Sequence, residues 1–501
     1  MKKNIFKILF TLLIAFTYYY FLLPPLNIQS GSFWSFVIFI LVVYLVINAA
    51  ISFDIRKLLN RNIIRNETSI NKIIIYAIIA IIIIPVILNF FLSPLFNAKS
   101  YSKRIAIDET STFESDIEEV NFDALPLLDK ASSQKLGDRV MGQMPELVSQ
   151  FNVSTLYTQI NYKNEIIRVT PLEYSDFFKF LSNKKKGAQG YITVNSVSGE
   201  SKLTKLDNGM KYMESAFFSK DLNRYLRFKY PTMIFGEKSF EIDNDGNPYW
   251  IIPTTKYVGI GLKEEISGII ILDPITGDSK YYDVKDVPTW VDHVYNADLI
   301  IEQVNDWGRY KRGFLNSIFG QKDVVATTQG YNYTVMNDDV YLYTGITSAV
   351  SDESNLGFIL TNMRTKETHF YSAPGAEEYS AMASAEGQVQ QMNYSASFPL
   401  LINLNNRPTY LVSLKDYAGL VKMYAFVDVE DYQKVVVTES SKGIKDAAIN
   451  YLNNSNLNID ESTLKTKNIT VKSISMSIVN GNSKYYITDE NDTFIKDTTD
   501  L

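Results

Sequence analysis

Hydrophobic positions are spread unevenly along this chain. Three apolar runs lie near its start, about Ile5–Leu23, Phe33–Phe53 and Ile73–Leu95. Each is close to the roughly 20 residues that cross about 30 Å of hydrocarbon as a helix. The stretch Ile73–Leu92 carries no charge, and Ile81–Ile84 is unbroken isoleucine. Three such runs in succession predict a transmembrane region over residues 1–97 rather than buried core helices. Pro85 inside the third run predicts a kink, because membrane helices tolerate a lost backbone donor when neighbours compensate. Beyond the runs, short apolar segments alternate with turn residues, the pattern of strands and hairpins.

Basic residues predict the orientation. Lys2, Lys3 and Lys7 flank the first run, and Arg56, Lys57, Arg61, Arg65 and Lys72 sit between the second and third. The loop Pro24–Ser32 has no Lys or Arg. The N-terminus is therefore expected in the cytoplasm and the C-terminal region outside. Lys99, Lys103 and Arg104 argue the other way, but long domains translocate largely regardless of charge. The first run ends in Tyr18-Tyr19-Tyr20-Phe21, which lacks a small-residue cleavage site and predicts a retained span with tyrosines at the interface.

The soluble part repeats itself. Gly190–Val194 is followed by Ser198-Gly199-Glu200-Ser201, Gly268–Leu272 by Thr276-Gly277-Asp278-Ser279, Gly357–Thr361 by Thr365-Lys366-Glu367-Thr368, and Gly419–Met423 by Asp428–Asp431. Each unit reads as a buried strand, a polar turn and a return strand. Gly199 and Gly277 suit a turn position with positive φ, whereas Lys366 predicts a turn of another type. Upstream strands are expected at Glu165–Thr170, Tyr249–Pro253, Val340–Thr344 and Thr409–Leu414, and helices at Ala216–Phe228, Trp290–Ile318, Ala376–Gln391 and Ile444–Leu452. The fold class is α+β: a transmembrane region, then antiparallel-sheet-plus-helix units. The expected boundaries are an acidic neck over 98–135, four units over 136–215, 216–320, 321–395 and 396–440, and a small β-rich tail over 441–501. In the tail, Ile469–Ile478 and Lys484–Ile487 flank the hairpin dipeptide Asn480-Gly481, read as part of an OB-like barrel.

The segment Gly246-Asn247-Pro248-Tyr249-Trp250 through Gly268–Tyr282 resembles a PepSY-type module, which pairs a strand ending in an aromatic with one reading apolar-x-Asp-x-x-Thr-Gly. Here the second strand reads Ile271-Leu272-Asp273-Pro274-Ile275-Thr276-Gly277. The resemblance is best in this second unit. It implies a noncatalytic, extracytoplasmic module of the kind associated with binding or inhibiting peptidases, with Tyr249, Trp250, Asp273, Thr276 and Gly277 as the expected binding residues.

Composition adds exclusions. The net charge of −6 leaves no basic footprint for nucleic acid, and the absence of cysteine removes disulfides and thiol chemistry. The Asn, Ile, Lys and Tyr usage suits an AT-rich bacterial genome. His293, expected on a helix, and His369, expected on a strand, are the two histidines, and neither has a spacing partner for metal or a Ser-His-Asp arrangement. Asp243-Asn244-Asp245-Gly246-Asn247 begins like a calcium loop, but Thr254 stands where the closing carboxylate belongs, so a hairpin turn is expected. Gly259-Ile260-Gly261 reads as a turn or bulge, and Lys184-Lys185-Lys186 as a solvated loop, with teichoic acid or lipid headgroups as the alternative. The 33 Tyr and 29 Phe are expected mainly along sheet faces, with a carbohydrate or peptide groove as the alternative.

These readings predict a membrane-anchored, extracytoplasmic, noncatalytic binding or scaffold protein of the bacterial cell envelope. Its expected partners are membrane lipid and an envelope protein or further copies of itself. No cofactor or metal is expected. The alternative is a regulator or inhibitor of an envelope peptidase.

Overall fold

A computed structural model of the chain describes residues 2–52, 69–122, 125–336, 338–348, 351–454, 470–479, 482–488 and 493–496. The basic loop with Arg56, Lys57, Arg61 and Arg65, and the Asn480-Gly481 dipeptide, lie outside the described residues. The apolar runs form helices α1 (Lys2–Leu22), α2 (Gly31–Ser52) and α3 (Ser69–Leu92), and three spans within them, Asn4–Leu22, Gly31–Ala50 and Ile70–Leu92, are long and apolar enough to cross a membrane. Their large side chains are mostly exposed, as expected where lipid is the solvent. Helix α3 continues through Pro85. At one end of the three helices, Lys7 Nζ donates to Asn48 Oδ1 (2.6 Å) and Asn48 Nδ2 to Asn71 Oδ1 (2.7 Å), so one polar chain ties them together.

After the short helix α4 (Pro94–Tyr101) the chain builds four larger antiparallel sheets and a small terminal one. The first contains strands Phe151–Val153, Thr158–Tyr162, Glu165–Tyr174, Ala188–Asn195 and Ser201–Met210. The second contains Ile234–Phe235, Ser239–Ile242, Pro248–Val258, Lys263–Leu272 and Ser279–Asp283. In each, two short strands pair with one long strand, which then runs on as a meander. The third sheet (main strands Asp339–Ser348, Ser351–Asn362 and Thr368–Ala376) and the fourth (Arg407–Lys415, Val421–Asp428 and Val435–Glu439) follow the same order. The third gains an extra parallel pairing of Ile107–Asp108 with Thr368–His369. The tail is a three-stranded antiparallel sheet, Ser473–Val479, Asn482–Thr488 and Thr493–Lys496.

One turn recurs in all four units, and its cause is local. A short polar side chain accepts from the two N–H groups that follow: Asn195 from Val197 and Ser198, Asp273 from Ile275 and Thr276, Asn362 from Arg364 and Thr365, Asp428 from Glu430 and Asp431. Such Asx turns close the backbone without help from distant residues. Gly199, Lys366 and Gly277 all take positive φ (75°, 66° and 88°). The different turn expected at Lys366 is therefore not found. Its side chain accounts for the departure: Nζ reaches Arg104 O (2.9 Å), Gln303 Oε1 (3.0 Å) and Glu265 Oε2 (3.3 Å).

Packing joins the sheets in sequence. Trp250, Ile252, Ile270 and Leu272 of the second sheet share a core with the first. Ile251, Ile269 and Ile271 point the other way, into a core with the third sheet and helix α8 (Ala297–Tyr310). Both faces being covered explains why Ile269–Leu272 has no polar position. The third and fourth sheets share Phe358, Tyr410, Val412 and Val427, and the far face of the fourth packs Leu411 and Phe426 against Ala448 and Tyr451. Each fully buried aliphatic or aromatic side chain contributes about 1.5–3 kcal/mol. Beyond α4, the α-helices of seven or more residues among the described residues are α5 (Lys130–Gly142), α6 (Phe177–Asn183), α7 (Leu222–Lys229), α8, α9 (Glu378–Gly387) and α10 (Ile444–Asn454).

The long helix expected over Trp290–Ile318 divides into α8 and, after a break at 311–313, a short helical segment ending in the π-turn Asn316–Gly320. The Asn296 side chain accepts from Leu299 N (2.7 Å) and starts the helix there, while the N–H groups of Asp292 and His293 bond Glu241 instead. His293 accordingly lies on a loop, which corrects its expected helical position. Ala216–Phe228 likewise becomes one short turn and α7, capped by Asp221.

The described residues of 98–122 and 125–135 run along the sheets. Arg104 is buried between Glu302 Oε1 (2.5 Å), Asp306 Oδ2 (2.6 Å) and Glu264 O (2.8 Å). Val120 N donates to Asn403 O (2.8 Å), Leu128 N to Ser196 O (3.0 Å), and Lys415 pairs with Asp129. This segment thus links the fourth sheet to the first.

The soluble region also sits on the ends of the spans. Arg227 Nε donates to Leu23 O (2.9 Å), Leu26 N to Pro231 O (2.7 Å), and Gly261 N to Gln29 O (3.0 Å). The hairpin Gly259-Ile260-Gly261 grips α3, where Ile260 N and O bond the Asn89 side chain at 3.0 and 2.9 Å. Gly259 has φ +76°, and a Cβ there would lie 2.7 Å from Asn89 Oδ1, so this contact requires glycine.

Candidate ligand cavity

Strand alternation sets the first residue of the site. In Glu165–Tyr174, Ile167 and Val169 point into the core shared with the second sheet. Arg168, between them, points to the opposite face and lines a cavity of about 540 Å³. Its walls come from three sheets and their connections: Tyr157 and Gln159 beside Arg168, Glu237 and Ser239 from the second sheet, His293 on the loop before α8, Asp298 in the first turn of α8, and Tyr331, Tyr333 and Phe398 from farther along.

Arg168 is 7% exposed, and its guanidinium has no hydrogen bond or ion pair with any described residue. Burial draws its pKa down to about 10, opposed by the charge of Asp129 and by Tyr333, so it remains a cation at neutral pH. Asp129 does not neutralise it by contact. Burial pushes the Asp129 carboxyl up, but Lys415 and the Ser132 N–H outweigh burial and hold it below the usual range. Gln159 is 2% exposed with neither amide atom bonded, and the Tyr157 hydroxyl is also unpartnered. Buried polar groups are ordinarily satisfied, so three unpartnered groups on one cavity mark a surface that can take a ligand.

The remaining groups are fixed. His293 Nε2 lies 2.7 Å from Gln159 O. A carbonyl oxygen only accepts, so Nε2 carries the proton. The ring meets Tyr333 edge-on at 5.6 Å, and Tyr331 packs on Tyr333 at 5.6 Å. Burial pushes the Tyr333 phenol well up, which keeps it a neutral donor. Behind His293, Glu241 accepts from Ser239 Oγ (2.7 Å) and from the Asp292 and His293 N–H groups. Burial, and then the Glu241 charge, push the Asp292 carboxyl well up.

The residues expected to bind lie elsewhere. Trp250 is 1% exposed, packs on Phe240 at 5.3 Å and donates to Tyr212 O (3.0 Å). Tyr249 faces the other side of the sheet, 5.2 Å from Trp290. Asp273 and Thr276 bond each other within the turn (2.8 Å), and Gly277 O accepts from Tyr225 Oη (2.6 Å). Asp243 accepts from the N–H groups of Asp245 and Asn247, a hairpin turn, and no metal-binding group of His or carboxylates occurs among the described residues. His369 Nδ1 lies 2.9 Å from Ser111 Oγ and 3.8 Å from Asp108 Oδ2, and Nε2 lies 3.3 Å from Glu367 Oε1. Asp108 and Glu367 are 47% and 65% exposed, so water screens this cluster and it reads as surface pairing.

No family model matches this chain, and no curated protein does. Among solved structures, an ACO/RPE65 chimera is similar at TM-score 0.13 and 8% identity over 70% of this chain. The likeness spans 62% of the length of that chain and carries no argument about fold or activity.

Proposed function

We propose that this chain is a membrane-anchored binding protein of the bacterial cell envelope, whose soluble region lies outside the cytoplasm and holds a ligand bearing an acidic group in the cavity at Arg168. The observation that carries the reading is the buried, unpartnered Arg168 cation beside the unpartnered Gln159 amide. Carboxylates and phosphates bind a guanidinium through paired, charge-assisted hydrogen bonds, and Gln159 and Tyr157 offer further donors. Glu237 and Asp298 on the same lining favour one acidic group over a polyanion. Binding rather than turnover is favoured because the nearby Glu241 carboxylate and His293 Nε2 are already engaged within the protein.

The test is mass spectrometry of small molecules released from the purified full chain and from Arg168→Gln. An acidic species released from the natural chain and lost from the variant supports the reading. Equal release from both, or none from either, overturns it.

A further inference from the structure

We propose that two exposed apolar patches beside the anchor, Phe178 with Phe217 and Phe218, and Leu315 with Ile318 and Phe319, rest in the headgroup boundary of the leaflet from which α1 and α3 emerge. The proposal rests on the three spans and is independent of the Arg168 cavity.

Each patch is tied to the end of a span. Arg224 donates from Nε to Tyr20 O (3.1 Å), in the last turn of α1, and from Nη1 to Phe218 O (2.8 Å). Its guanidinium also lies over the Tyr20 ring at 4.3 Å. On the other side Tyr101 Oη donates to Leu92 O (3.2 Å), the last residue of α3. Tyr310 packs on Tyr101 at 6.1 Å, and Phe314 stacks on Tyr310 at 6.4 Å. The next turn presents Leu315, Ile318 and Phe319.

These side chains are unusually bare for a water-facing surface. Phe178 is 74% exposed, Phe218 55% and Phe319 81%. Phe218 holds φ +57°, a region that a bulky residue enters at a cost, and there it shows its ring outward. The first patch also has complementary charge. Lys184, Lys185 and Lys186 follow the helix that carries Phe178, are exposed, and form no ion pair among the described residues. Aromatic rings at the headgroup level with lysines reaching anionic lipid are the chemistry of an interfacial contact.

The chain has no cysteine, so single labels are clean. Nitroxides on Phe178→Cys, Phe218→Cys, Phe319→Cys and Tyr417→Cys would be placed in the full chain in phosphatidylcholine/phosphatidylglycerol nanodiscs. Tyr417 is fully exposed on the fourth sheet's hairpin and serves as the aqueous reference. The expected result is an oxygen-to-nickel-chelate accessibility ratio several-fold higher at 178, 218 and 319 than at 417. Ratios equal to that at 417 overturn the proposal, and so do labels shielded from both reagents, which would mean a protein cover. Replacing Lys184, Lys185 and Lys186 with Gln should lower the ratio at 178 and spare 319. An unchanged ratio at 178 overturns the anionic-headgroup part.

Discussion

Arg227 of α7 donates to the main-chain oxygen of Leu23, 2.9 Å away, just beyond the end of the first span. The same guanidinium reaches Met233 O at 2.5 Å and Tyr230 O at 3.3 Å. It is 5% exposed, and burial draws its pKa down to about 10. One cation thus serves carbonyls of both the anchor and the soluble region, where a helix C-terminus favours positive charge.

Replacing Arg227 with Met keeps the aliphatic stem but leaves those carbonyls without their donor. A buried acceptor left unmade costs about 1–3 kcal/mol. The expected outcome is faster protease cleavage near residues 22–30 in nanodiscs, with the circular dichroism of the sheets unchanged. Unchanged cleavage would mean that the seat is held elsewhere.

Arg104 is the second joint. Its side chain is 1% exposed and meets Glu302, Asp306 and Glu265. Without Arg104 the largely buried Asp306 carboxylate loses its cation at a cost of about 1.5–3 kcal/mol, whereas Glu302 is 55% exposed and Glu265 keeps Lys366. Arg104→Met should lower the unfolding midpoint in detergent, and Arg104→Lys should restore only part of it, since Lys lacks the fork that serves several acceptors.

Gly259→Val places a branched side chain at positive φ and against Asn89. A pair of labels, one near residue 260 and one near residue 89, should then show a broader distance distribution by electron resonance than in the natural chain. A distribution as narrow as the natural one would show that the hairpin holds without its glycine.

Asp292 supplies a pH prediction. Burial and the neighbouring Glu241 raise its pKa in the folded state. A raised carboxyl pKa means that folding favours the protonated form. Its contribution is therefore fully present below the unfolded pKa and is lost as pH rises through the folded value. Asp292→Asn stays neutral and keeps an oxygen for the Asn161 N–H. Thermal unfolding from pH 5 to pH 9 should fall less steeply for the variant than for the natural chain, and parallel curves would remove Asp292 from the account.

The spans and repeated turns were legible because their causes are local. A run such as Ile73–Leu92 needs no partner to declare itself, and Asp273 closes its turn with the next three residues. Lys366 misled because its left-handed backbone is offset by distant contacts to Arg104 and Glu265. His293 misled because Glu241, far away in sequence, takes the N–H groups that a longer helix would have used. The cavity was invisible for the same reason. Arg168 looks like one polar position in a strand, and only the approach of Gln159, His293 and Tyr333 shows that its charge is buried without a partner. Trp250 matches the aromatic of the PepSY-type pattern, yet its large apolar ring is what fills the core between the first two sheets.

The pairing of Val120 with Asn403 has a consequence for how the molecule is made. A ribosome delivers residue 120 long before residue 403. Until then the segment Ile117–Asp129 lacks the fourth sheet that bonds it, and the first sheet lacks the strap that joins it to the last. The linkage between the two ends waits for almost the whole soluble region. A chain stalled before residue 400 would remain tethered to the membrane, open at this seam and exposed to quality-control proteases.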